Sequence, residues 1–176
     1  MIYNNVDEIF AALATTRRRI YERVADLGDR QAQARPLPDV WSVAEIIEHL
    51  SIAEERMLAL LTSLLGRGAA AAATGGSSGG SAVSIQVMTD RAGEKFTAPS
   101  FMQPTGGVPL SASLAKLRES RAALLGLRPQ IEAADYSHVT YPHPAFGPLN
   151  LYQWLAAVEF HECKHLDQLQ TIAAGG

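Results

Sequence analysis

The chain has 176 residues, 47% of them hydrophobic and 19% charged, with a formal net charge of −3. That suits one globular domain and excludes a disordered chain; the mild acidity, without a basic cluster, gives no electrostatic footprint for nucleic acid. The longest strongly apolar stretch, Met57 to Leu65, is too short to span a bilayer. A lone cysteine, Cys163, and an N-terminus without basic or apolar signal regions lead us to expect a reducing, cytoplasmic location.

The first predicted element is an amphipathic helix over roughly Asn5 to Leu27, with Val6, Ile9, Phe10, Leu13, Ile20, Val24 and Leu27 on one face. Arg17 to Arg19 fall within it beside Glu8, Glu22 and Asp26, the pattern of a solvated charged face. Gly28 reads as a helix stop, and Pro36 and Pro38 mark the loop that follows. Ser42 with Glu45 three residues on is a capping-box signature, with Trp41 placed to pack on the first turn. A second helix is predicted from Val43 to about Leu65, its inward stripe running Val43, Ile46, Leu50, Ala53, Met57, Leu60 and Leu64.

Residues 67–82 are rich in Ala, Gly and Ser. The alanines can extend the second helix by a turn, and the Gly/Ser run has the composition of a flexible linker. Val83 to Gly107 reads as a long irregular crossover. A third helix is predicted from Ser111 or Ser113 to about Ala133, on Leu114, Leu117, Arg121, Leu124, Leu125 and Ile131, with Pro129 breaking it near its end. Tyr136 to Leu149 reads as a loop. Asn150, with Gln153 three residues on, caps a fourth helix to about Ala173. The expected architecture is all-α: one four-helix bundle over residues 1–176, whose long second connection lets the second and third helices run parallel.

Chemistry concentrates in the last helix. Its inward positions are Leu151, Trp154, Val158, His161, His165, Leu169 and Ile172. Two histidines one turn apart thus share a buried stripe, where each has polar nitrogens to satisfy and both can reach one metal ion. A single histidine on such a face is usually a hydrogen-bonded core residue; two at helical spacing, with a third flanking the second helix's stripe at His49, favour a ligand set. His138 and His143 lie in the loop before the last helix, where bonding to backbone is the commoner role.

His161-Glu162-Cys163-Lys164-His165 also matches the H-E-x-x-H pattern of zinc proteases. Only eleven residues follow His165 and none supplies a further ligand, so we expect Glu162 to be exposed beside the ligand face rather than to serve as a base. Cys163 projects about 160° away from both histidines and reads as a structural cysteine.

Trp41-Ser42-Val43-Ala44-Glu45-Ile46-Ile47-Glu48-His49-Leu50 resembles the second-helix motif of the DinB-like superfamily, which includes the YfiT group. His143-Pro144-Ala145-Phe146-Gly147-Pro148-Leu149, then Trp154, His161 and His165, is similar to that family's run into its last helix. The resemblance implies an up-down-down-up four-helix bundle, a metal site of three histidines at His49, His161 and His165, and homodimers. It also implies metal-dependent hydrolysis or transfer of low-molecular-weight thiols.

Three protein ligands leave a coordination position open, as in catalytic rather than structural sites. The expected cofactor is a divalent metal ion, zinc or nickel first among those that imidazole accepts. The expected partner is a small-molecule substrate or a low-molecular-weight thiol. Glu45, one turn before His49, is a candidate general base besides its capping role, and Gln168 can line the pocket or hold a ligand histidine. Trp154 is a candidate pocket wall. The alternative function is a non-enzymatic metal- or ligand-binding bundle of sensor or stress type.

Overall fold

The computed structural model describes residues 2–72, 83–94 and 96–174. In chain order the elements are β1 (Ile2–Tyr3), α1 (Val6–Val24), α2 (Asp29–Gln33), α3 (Val43–Ala72), β2 (Val83–Ser84), α4 (Gln86–Thr89), a 3-10 turn (Ser100–Met102), α5 (Leu110–Gly126), α6 (Arg128–Glu132), β3 (Thr140–His143), β4 (Gly147–Asn150) and α7 (Leu151–Ala174). The long helices α1, α3, α5 and α7 make the bundle.

Local chemistry sets their ends. Asn5 caps α1 by accepting from the Glu8 amide at 3.0 Å. The box at α3 is complete: the Glu45 amide donates to Ser42 Oγ at 3.2 Å, and Glu45 Oε2 accepts from the Ser42 amide at 2.8 Å. Asn150 and Gln153 exchange the same reciprocal pair at α7, at 2.9 and 3.0 Å. Helix α5 ends at Gly126, and a new short helix carries Pro129 in its first turn, where the missing amide proton costs nothing.

Three expectations change. Helix α3 runs seven residues beyond Leu65, to Ala72, because alanine has the highest helix propensity of any residue type; of the flexible connection expected over about 67–82, residues 67–72 are therefore helical, and 73–82 lie outside the described residues. Gly28 is not a left-handed stop: its φ is −74°, and it leads directly into the unforeseen α2. The loop before α7 contains an antiparallel hairpin in which His143 pairs with Gly147, whose φ of +74° suits a residue without a β-carbon. A close approach explains Gly68, where a β-carbon would overlap the Tyr136 ring.

The apolar residues form two clusters. One holds Phe10 and Leu13 of α1, Leu61 and Leu64 of α3, Leu124 of α5, and Trp154 and Leu155 of α7. The other holds Ile20, Ile46, Ile47, Leu50, Leu117, Leu166 and Leu169. Helices α1 and α7 pass from the first cluster to the second, while α3 and α5 pass from the second to the first. That is up-down-down-up order, with α3 and α5 parallel.

Four buried charged residues, one from each long helix, form an ion-paired layer between the clusters: Arg17, Glu54, Arg121 and Glu162. Arg17 bridges Glu54 (2.8 Å) and Glu162, and Arg121 bridges Glu54 (2.8 Å) and Glu162 (2.9 Å). Two sequence expectations are corrected here. Arg17 is 3% exposed, and only Arg18 and Arg19 lie on the solvated face. Glu162 is 2% exposed rather than solvent-facing. Neither reversal is visible within one helix, because each residue's charged partners come from two others.

Candidate metal centre

His49 stands at the second turn of α3, and His161 and His165 stand one turn apart on α7. The packing of these two helices brings the three rings together, with centroids 4.6 to 5.0 Å apart. His161 Nε2 lies 3.1 Å from His49 Nε2 and 3.2 Å from His165 Nε2.

The outer ring nitrogens fix the tautomers. His49 Nδ1 donates to the Met102 carbonyl at 2.6 Å, and His165 Nδ1 donates to Gln168 Oε1 at 2.6 Å. Each of these rings therefore turns an unprotonated Nε2 toward His161. A proton on His161 Nε2 can serve only one of them, leaving the other lone pair without a donor. A cation among the three nitrogens satisfies all of them. Tetrahedral geometry with bonds of 2.0–2.1 Å separates ligand nitrogens by about 3.3 Å, close to the separations found. The donor set and its spacing fit a divalent ion.

The environment keeps the rings neutral. Burial, reinforced by the neighbouring histidines, holds His161 well below its ordinary value; burial and His49 push His165 down to about 4. Burial lowers His49 too, against the bond to Met102. Neutral imidazole is the form that binds metal.

The crossover before α5 secures one side of this arrangement. Besides the Met102 carbonyl, it supplies the Thr105 hydroxyl and amide and the Gly106 amide, all donating to the buried Glu48 carboxylate next to His49. Gly106 has φ +77°, which a side chain would strain. Trp41 forms another wall, 5.0 Å from His49 and stacked 6.4 Å over His165. The sequence pattern gave Trp41 only a packing role on the helix start, and nothing in it pointed to Met102.

The other candidates fall as follows. Gln168 is the residue that orients His165. Glu45 is buried with both carboxylate oxygens engaged by Arg35 and one also by the Ser42 amide; the Arg35 bond holds its pKa below the usual carboxylate range despite burial. Trp154 is buried, and its indole donates to the Tyr141 carbonyl at 3.0 Å. Cys163 faces α1, donating to Glu159 Oε1 at 2.8 Å and lying 3.5 Å from Thr16, with its pKa pushed up to about 12 by burial. His138 is exposed. His143 packs between Phe146 and Trp154, with ring centroids at 4.5 and 4.9 Å. No helix among the described residues is long and apolar enough to cross a membrane.

Comparison with known proteins agrees with this architecture. The DinB superfamily profile matches residues 12–169. YuaE of Bacillus subtilis (strain 168), described as an uncharacterized protein, is 24% identical over 160 residues, spanning 89% of this chain and 91% of that protein. The crystal structure of TT2238, a four-helix bundle protein, superposes with a TM-score of 0.62 at 24% identity, covering 93% of this chain and 96% of that one.

Proposed function

The chain belongs to the DinB superfamily, and from that premise we propose that it is a metal-dependent enzyme acting on a small molecule, by hydrolysis or by transfer of a low-molecular-weight thiol. The observation that carries this reading is the convergence of three neutral Nε2 atoms, 3.1 and 3.2 Å apart along the chain His49–His161–His165. A divalent ion held there, zinc or nickel first, supplies a Lewis acid with an open coordination position, able to lower the pKa of water or a thiol.

The chain's own residues do the rest. The Met102 carbonyl and Gln168 hold two imidazoles in the tautomer and direction that ligation requires. All three imidazoles are held neutral, so an ion bound by them would keep its charge uncompensated and would favour an anionic ligand. Trp41 limits the access of water on its side. Glu45 keeps to its cap and to Arg35.

That engagement of Glu45 favours the second reading, a non-enzymatic metal- or ligand-binding bundle, because it withdraws the candidate general base. Metal analysis of tag-free protein, beside His161→Ala, tests the shared premise. About one metal per chain in the parent and little in the variant is expected. Hydrolysis and thiol-transfer assays on the loaded protein then separate enzyme from binder. A parent that stays metal-free after soaking in zinc or nickel would overturn the enzyme reading and leave a bundle that binds its ligand without metal.

A further inference from the structure

Resting on the metal-centre reading, we propose that His143 contacts the substrate: its Nε2–H donates a hydrogen bond to an electron-rich oxygen, of carbonyl or carboxylate type, on the small molecule held at the three histidines.

The tautomer comes from the hairpin turn. The Ala145 amide donates to His143 Nδ1 at 3.1 Å. A main-chain N–H only donates, so Nδ1 must be the unprotonated nitrogen and the neutral ring carries its proton on Nε2. This is the reverse of His49 and His165, whose Nδ1 atoms hold the proton. His143 therefore offers a donor where those two offer lone pairs, and its lone pair is already taken.

Position follows from packing. Nε2 lies on the ring edge away from the turn, and the ring's hydrogen bond among the described residues is the one at Nδ1. The ring is clamped by Phe146 and Trp154. Trp154 lies seven residues before His161, two turns along the same face of α7. Phe146, stacked on His143, in turn meets the Phe160 ring at 6.2 Å, one residue before His161. The β3–β4 pairing holds the residue on a backbone ladder rather than a free loop. A ligand whose one electron-rich atom meets the three histidines can extend a neighbouring oxygen to this donor.

Cobalt(II)-loaded, tag-free protein titrated with acetohydroxamate, a small anion bearing two adjacent oxygens, tests this by visible absorption. His143→Phe keeps the aromatic packing and removes the donor; His143→Gln restores a donor. We expect equal cobalt stoichiometry in all three proteins, acetohydroxamate binding weakened about tenfold in His143→Phe, and most of the loss recovered in His143→Gln. Long-range proton–nitrogen spectra of the parent should show His143 protonated at Nε2. Unchanged acetohydroxamate affinity in a folded His143→Phe, or a proton at Nδ1, overturns the inference while leaving the metal reading intact. Loss of cobalt in His143→Phe overturns it too, by making His143 a ligand. A parent that takes up no cobalt overturns the metal reading and this inference with it.

Discussion

Burial lowers His161 most, and among the described residues His165, His49, Lys164 and His143 lower it further. Its neutrality has a thermodynamic consequence. Free histidine titrates near 6.5, while His165 titrates at about 4 and His161 and His49 below their ordinary value. Between those limits the unfolded chain binds more protons than the folded one, so acidification destabilises the fold. For metal-free protein, the urea midpoint should hold above pH 7 and fall between pH 6.5 and 4. Replacing His165 with Gln should flatten that fall; an unaltered slope would mean that the ring is already charged in the folded state. Gln168 belongs to the same scale. Without its acceptor, His165 loses the bond that fixes its tautomer, and Gln168→Ala should weaken metal binding about tenfold, the lower end of what such orienting partners contribute. Equilibrium competition with a chromogenic chelator measures it.

Between helices the decisive feature is the layer of Arg17, Glu54, Arg121 and Glu162. Burial alone would raise the Glu54 carboxyl, but Arg121, Arg17 and the Ser120 hydroxyl hold it below the usual range. Removing one member strands its partners: Glu162→Ala should cost about 3–5 kcal/mol in chemical denaturation. Replacing all four together by apolar residues of similar size should cost far less, because the penalty is that of an unpaired buried charge. A small loss in the single variant would show that water reaches the layer. This is also where sequence reading met its limit. The 3.6-residue period located all four long helices, the caps at Ser42 and Asn150, and the inward placing of the histidines, because those signals lie within one helix. Arg17 and Glu162 occupy inward positions too, yet charge alone reads as solvent-facing until the complementary charges of two other helices are known. Met102 escaped for a related reason: a carbonyl oxygen leaves no trace in residue type, and its role depends on how the crossover folds over His49.

Across the molecule, the candidate metal centre joins the two helices on which the up-down-down-up order turns. His49 belongs to a helix entering the bundle from the second cluster, and His161 and His165 to one arriving from the first. An ion bound by all three would tie α3 to α7 next to the ionic layer, and it would bind the folded chain far more tightly than the unfolded one. Free metal at about a hundredfold excess over its dissociation constant adds about 2.7 kcal/mol. At about 2–4 °C per kcal/mol for a chain of this size, loading should raise the melting temperature by about 5–11 °C, and a chelator should reverse the gain. In His49→Ala, with two ligands left on a single helix, metal should produce little of that shift, because the link between helices is gone. Calorimetry of the loaded and stripped forms of both proteins measures it. An equal metal-induced gain in His49→Ala would mean that α7 alone holds the ion, and that α3 contributes packing rather than a ligand.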